Sequence, residues 1–292
     1  MMYLKRMLPV LLLLLVCATV LAQPKKKGGL INKPNQQNKF LEKQWWLGIK
    51  AGTNLAQAIP TKRYTVVTPT NYAQALNDKE YDSFNNTGSQ ATLEATFYYK
   101  GFSFSAQPTY RHSRFTYSNQ FQWDNPENVE ERLVLQYDQE QKLDYADFPF
   151  IIKYDILRDK FRPYAQVGIF YSLLINANKA VAVSGTDYAS GGTNQFSNDP
   201  IIVGAKDLFD NNWGLMAGAG LEYNLGNIRV VLDASYWKGM SNISNVESRY
   251  GSDRLAGIGD AQDDMKLNNF VISAGVLFPM RFLSSSFKTL DR

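Results

Sequence analysis

The chain has 292 residues, 20% charged and 45% apolar, with a mean hydropathy of −0.31. A polytopic helical membrane protein needs several apolar runs of about 20 residues, and only one candidate run is present. Aromatic residues make up 13% of the chain, which argues against intrinsic disorder. The single cysteine excludes a disulfide scaffold and a thiolate zinc site, and the single histidine removes most histidine-based metal and triad chemistry. A formal charge of +4 is too weak to argue nucleic-acid binding.

Residues 1–22 read as a secretory signal. Lys5 and Arg6 form its charged start, Leu8 to Val16 its apolar stretch, and Val20 and Ala22 the small-residue positions before a cut at Gln23. A short membrane anchor is one alternative, against which the run is under 18 residues and ends at a plausible cleavage site; lipid attachment at Cys17 is a second, but Val16 stands where a lipoprotein peptidase prefers a smaller residue. Cleavage takes two cations and no acids, so the mature chain carries +2 and no thiol. Residues 23–44 read as a flexible basic arm. Lys25, Lys26, Lys27, Lys33, Lys39 and Lys43 stand there against Glu42, a net of +5 that leaves −3 on the rest of the mature chain.

From Trp45 the pattern changes to period-two alternation, as strands require. The first segment is 45–52, where Leu47, Ile49 and Ala51 oppose Gly48, Lys50 and Gly52. In 91–100, Leu93, Ala95 and Phe97 oppose Thr92, Glu94 and Thr96. In 102–111, Phe102, Phe104 and Tyr110 oppose Ser103, Ser105 and Arg111. In 145–156, Phe148, Phe150 and Ile152 oppose Asp147, Lys153 and Asp155. Val167, Ile169 and Tyr171 oppose Gln166, Gly168 and Ser172 in 163–173. The clearest case is 213–225, where every odd residue from Trp213 to Leu225 is apolar and the even ones are mostly glycine or polar. In 227–237, Val230, Leu232 and Tyr236 oppose Arg229, Asp233 and Ser235, and in 268–278, Phe270, Ile272 and Phe278 oppose Ser273 and Gly275.

These eight segments have connections that alternate in length. Those at 100–101, 158–160 and 225–227 are tight, and those at about 58–87, 124–131, 184–210 and 244–266 are long. Short turns on one side and long loops on the other predict an all-β, eight-stranded antiparallel transmembrane β-barrel of up-and-down order, with periplasmic turns and extracellular loops. The export signal, the absent cysteines and the aromatic residues near strand ends favour apolar side chains outside over the inside-apolar pattern of a soluble barrel. The predicted location is the outer membrane of a Gram-negative-type cell. Segments 102–123 and 132–156 exceed the 9–11 residues of a bilayer crossing, so this hairpin should project on the loop side. Apolar parity slips within it, from Leu133, Leu135 and Tyr137 to Phe148, Phe150 and Ile152. A bulge at about 138–145 would account for the slip, and further bulges are expected near Pro108 and Pro149.

Several of these segments resemble a known family. YADFPFIIKY at 145–154 and RPYAQVGIFYSLL at 162–174 look like the fourth and fifth strands of the outer-membrane β-barrel domain family that includes the PorT-like proteins of type IX secretion. The stretch 214–243 resembles its sixth and seventh strands, and NNFVISAGVLF at 268–278 its closing strand. The resemblance covers about 45–282 and implies an eight-stranded barrel with both termini in the periplasm. It says little about activity, because members are mostly functionally unassigned. Such barrels usually stop at the closing aromatic residue, whereas this chain continues, leaving 283–292 as a periplasmic tail.

Candidate chemistry is sparse. His112 and Ser113 are adjacent, and adjacent strand residues point to opposite faces, so they cannot act as base and nucleophile. No enzymatic site, cofactor or metal is expected. The inward face carries Lys50, Arg111, Lys153 and Arg229 against Glu94, Asp147, Glu222 and Asp233. The interior of an eight-stranded barrel is just wide enough for side chains to fill, so these charges are expected to pair as a plug that fixes strand register. A selective channel or proton path is the alternative. The acids at Asp124, Glu127, Glu130 and Glu131 and at Asp260, Asp263 and Asp264 match no calcium-loop spacing and read as solvated loop surface. The expected function is a non-catalytic anchor touching outer-membrane lipid and an envelope or periplasmic protein, an accessory of envelope assembly or secretion. A receptor or small channel, with loops that bind a small molecule or glycan, is the rival reading.

Overall fold

The computed structural model describes residues 43–64, 79–190, 192–225, 228–249 and 261–280. Eight staves form a closed antiparallel ring. In order they are β1 (Lys43–Lys62), β3 (Ser83–Tyr99), the stave made of β4 (Phe102–Ala106) and β5 (Thr109–Asp124), β6 (Arg132–Asp155), β7 (Phe161–Asp187), β10 (Asn212–Leu225), β11 (Ile228–Gly239) and β12 (Asp264–Pro279). The last closes on the first, from Trp46 opposite Pro279 to Lys62 opposite Asp264. Three short strands are added at the loop end: β2 (Glu80–Tyr81) on β5, and β8 (Asn194–Ser197) and β9 (Ile201–Gly204) on β7. The chain is an all-β antiparallel barrel, and its staves run longer than the alternation predicts.

The outward face of the turn half is apolar. Ile49, Leu93, Phe150, Val167 and Ile169 are each more than 55% exposed, and this is the surface a bilayer covers. Trp45, Tyr99, Phe102, Tyr154 and Tyr223 ring its turn end, and Tyr110, Trp213 and Tyr236 its loop end. The same staves turn inside out beyond that level. On β5, Tyr110 points out, followed by His112, Arg114, Thr116 and Ser118, while Phe115, Tyr117 and Phe121 point in. On β6, Leu143 and Tyr145 are fully buried, and Asp138, Glu140, Lys142 and Asp144 line the outside.

The parity slip in 132–156 is therefore not a bulge in that strand. The β5–β6 register runs without a shift from Asp124 opposite Arg132 to Thr109 opposite Asp147. Odd residues of β6 face inward throughout, and what changes is the medium on either side. The register shift lies across from it, on β7, where Tyr145 faces Leu174 but Asp144 faces Asn176. Pro108 separates β4 from β5, yet the register is constant across it: Ala95 faces Ala106 and Thr92 faces Thr109. Its carbonyl still accepts from the Leu93 N–H at 2.9 Å, so proline costs the ladder a donor and not a frame.

The inversion predicts two kinds of apolar truncation. Leu143→Ala empties part of a packed interior and should cost about 2–5 kcal/mol in urea unfolding of the refolded protein. Ile169→Ala, on the lipid-facing surface, should cost less than half as much. Equal losses would contradict the assignment of the two faces.

Candidate functional site

The barrel interior is the most elaborated part of the molecule. Its central layer joins staves far apart in sequence. Lys50 Nζ lies 3.0 Å from both Glu94 Oε2 and Asp233 Oδ2 and donates to Gln107 Oε1 at 2.8 Å. Lys153 Nζ donates to the other Glu94 oxygen at 2.6 Å and sits 5.0 Å from the Tyr164 ring centre. Thr96 donates to Glu94, and Ser273 and Tyr164 donate to Asp233. Towards the loops, Arg111 makes a two-pronged contact with Asp147, at 2.6 Å and 3.0 Å, between the rings of Tyr145 and Trp237. Towards the turns, Arg229 donates to Glu222 at 3.0 Å and stacks 3.8 Å from the Trp46 ring centre. All eight residues named as lumen charges thus lie inside and are brought together in three groups.

One further lumen charge escapes the sequence reading: Arg162 donates to Asp155 at 3.2 Å at the turn end of the lumen. Reading the fifth segment from 163 starts it one residue late, although Arg162 shares the parity of Gln166. In the membrane half the inward charges stay balanced, with Arg162 and Asp155 adding one of each sign, and Lys179 is a further buried cation in the loop half.

Apolar residues dominate the loop half, with Asn119, Gln139, Gln141 and Lys179 also buried there. Phe115, Tyr117, Leu143, Tyr145, Leu208, Phe209, Ile243, Met265 and Leu267 form one buried cluster. Leu208 and Phe209 come from the turn after β9 and Ile243 from the segment after β11, so loop residues fold back into the barrel mouth. Ion pairs hold this cap down. Lys79 Nζ lies 3.1 Å from Asp263 Oδ1, Tyr81 donates to Asp263 Oδ2 at 2.9 Å, and Arg249 donates to Asp264 Oδ1 at 2.6 Å. Asp263 and Asp264 are thus not the solvated loop surface expected of them: Asp263 is fully buried and each has a cationic partner. Loop acids look solvated in a sequence when their partners, here Lys79 and Arg249, lie in other irregular segments. Desolvation alone would raise the Asp264 carboxyl, but the hydrogen bond and charge of Arg249 outweigh it and hold it below its ordinary value.

Ser113 lies in the lumen, accepting from Arg111 at 3.0 Å and donating to Asn269 at 3.1 Å. His112 lies on the outside, with Nδ1 2.7 Å from Asp144 Oδ1. Of the basic arm, Lys43 opens β1, and Lys25, Lys26, Lys27, Lys33 and Lys39 lie outside the described residues.

The family model described as outer membrane protein beta-barrel domain matches residues 22–245, and the chain belongs to that family of the outer membrane. Among solved structures it is similar to Neisserial surface protein A, at 12% identity over 80% of this chain and 96% of that one, with a TM-score of 0.31. It is similar to Ail, the attachment invasion locus protein of Yersinia pestis, at 13% identity over 80% and 99%, with a TM-score of 0.29. For the outer membrane protease OmpT of Escherichia coli the values are 10%, 86%, 99% and 0.33. These likenesses concern the fold and say nothing of activity. No curated relative matches the sequence.

The Arg111–Asp147 pair gives a direct test of the interior. Asp147→Asn leaves a buried guanidinium without its counter-charge and should lower stability by about 3–5 kcal/mol. The double variant Arg111→Met with Asp147→Leu should recover most of that loss, read as the temperature at which the folded band disappears in gel mobility. A single variant as stable as the parent would show that the pair contributes nothing.

Proposed function

We propose that this chain is a closed outer-membrane anchor, an accessory of envelope assembly or protein secretion of the kind represented by the PorT-like proteins it resembles. It works by protein contact at its two ends and passes no solute. The observation that carries this reading is the double filling of the interior: balanced, paired charges in the membrane half and a packed apolar cap in the loop half. A channel needs a continuous wet path, and a porin-like lumen keeps one. The outward-pointing His112 and inward-pointing Ser113 further support the view that these two neighbours are not a catalytic pair.

In this reading the leader is cleaved, the tight turns face the periplasm, and the long hairpins stand outside the cell. The arm at 23–44 and the tail at 283–292 then share the periplasmic side. A cationic arm is attracted to an acidic surface over about a Debye length, which suits a periplasmic protein partner. On the other side, β5, β6 and β7 carry a sheet well past the membrane and offer a second contact surface.

Purified protein in planar bilayers should show no stable conductance, whereas a reproducible, ion-selective conductance would replace the anchor by the channel reading. Orientation is checked separately with single cysteines. Val129→Cys and Val246→Cys, at residues 82% and 59% exposed, should react with an impermeant thiol reagent on intact cells, and Lys160→Cys should not. The reverse labelling would invert the topology.

A further inference from the structure

Three adjacent staves set a serine, a histidine and a carboxylate in one row on the outside of the barrel. Ser89 of β3 is the direct partner of His112 on β5, and His112 is the direct partner of Asp144 on β6. Ser89 is exposed, and the side chains of His112 and Asp144 are 31% and 15% exposed. A carboxylate only accepts, so in the neutral imidazole the 2.7 Å contact puts the proton on Nδ1 and leaves Nε2 free as a base. Asp144 lies on the β6 side of the ring and Ser89 on the β3 side. Directly opposed residues hold their Cβ atoms about 4.5–5.5 Å apart, so Ser89 and His112 are immediate neighbours on this face.

The row sits where the outward surface changes from apolar to polar. Below it on the same face are Leu93 and Ala91, then Tyr110, then Ala146 and Phe148; above it are Arg114, Glu140 and Lys142. A groove of about 480 Å³ opens in the membrane-facing surface just below Ser89, lined by Ala91, Ala51, Ala274 and Gly275. The three alanines oppose one another across β3, β1 and β12, so their small side chains make a furrow among larger neighbours. Ala91 is two residues from Ser89, about 7 Å along the strand. A furrow in this surface is filled by what surrounds it, the hydrocarbon of a lipid.

We infer that Ser89, His112 and Asp144 form a hydrolytic site for the acyl esters of membrane lipids, with one acyl chain lying in the alanine furrow. Ser89 Oγ attacks the ester carbonyl carbon while His112 Nε2 takes its proton. The C–O bond to the lipid alcohol breaks, the alcohol leaves with that proton, and the acyl group stays on Ser89. Water, activated by the same Nε2, then cleaves the acyl-serine ester and releases a fatty acid. Asp144 is the positioning residue that holds the imidazole in the basic tautomer. This site lies on the outer surface, whereas the anchor reading rests on the lumen and the barrel ends, so either can fail without the other.

The test uses the full chain refolded in detergent and reconstituted in vesicles of phosphatidylethanolamine, with and without lipid A, the two arms separating phospholipid from glycolipid esters. A fluorophosphonate probe should label Ser89, as located by peptide mass spectrometry, and fatty acid should be released from at least one vesicle type. Ser89→Ala and His112→Ala should each lower release by about two orders of magnitude or more while keeping the folded gel mobility. Asp144→Asn should lower the rate and displace the pH profile, which a merely structural role would not do. Ala91→Trp, which fills the furrow, should abolish lipid hydrolysis and leave probe labelling intact. The site is refuted if the wild type releases no more fatty acid than Ser89→Ala from either vesicle, or if the probe misses Ser89. The furrow is refuted if Ala91→Trp hydrolyses lipid normally.

Discussion

Closure of the sheet is the constraint on which everything else in this molecule depends. In hydrocarbon no water is present to satisfy an unpaired N–H or C=O, so a strand can cross only if both its edges are occupied. The β1–β12 pairing meets that requirement over a run from Trp46 to Lys62, and it removes any free edge in the membrane half. Closing eight staves also fixes a narrow interior, which has to be filled by side chains pointing inward from every strand. The charges of the lumen follow from this geometry. Inward positions are shut off from lipid and largely from solvent, which favours charged residues that pair across strands there.

The pairing of Lys50 with both Glu94 and Asp233 shows what such filling achieves. These residues come from β1, β3 and β11, and Lys153 brings in β6. A slip of any one strand by a single residue would turn its charge outward into lipid and leave its partners stranded. Breaking a buried pair costs far more than a pair contributes relative to an apolar substitute, so the network acts more on register than on stability. Above the membrane the problem reverses. Water outside and a cap of loop residues within favour the ordinary arrangement of a soluble protein, and Phe115, Tyr117, Leu143 and Tyr145 turn inward on strands that have kept their register.

Much of this was legible in the residues. Period-two alternation located all eight staves and most of the lumen charges, because both depend on the parity of a strand and on nothing distant. The inversion was visible too, as the switch from Leu133, Leu135 and Tyr137 to Phe148, Phe150 and Ile152, but one parity switch has two explanations. A bulge and a change of medium leave the same pattern, and only the pairing of β5 with β6 separates them. The cap was illegible for a different reason. Lys79, Arg249 and Asp263 sit in irregular segments without period, Asp264 only opens β12, and what joins them is tertiary contact. The Ser89–His112–Asp144 row likewise requires cross-strand register, which no single strand reveals.

One set of strands serves two media, with a sharp inversion between them. Spin labels placed singly on the even positions of β6, from 138 to 154, measure this by their relative accessibility to oxygen and to a water-soluble nickel chelate in lipid vesicles. The account predicts oxygen-dominated collision at 148, 150 and 152, nickel-dominated collision at 138, 140 and 142, and a crossover at 144–146. Oxygen dominance continuing to 138, or a crossover accompanied by labels turning inward above 145, would contradict it.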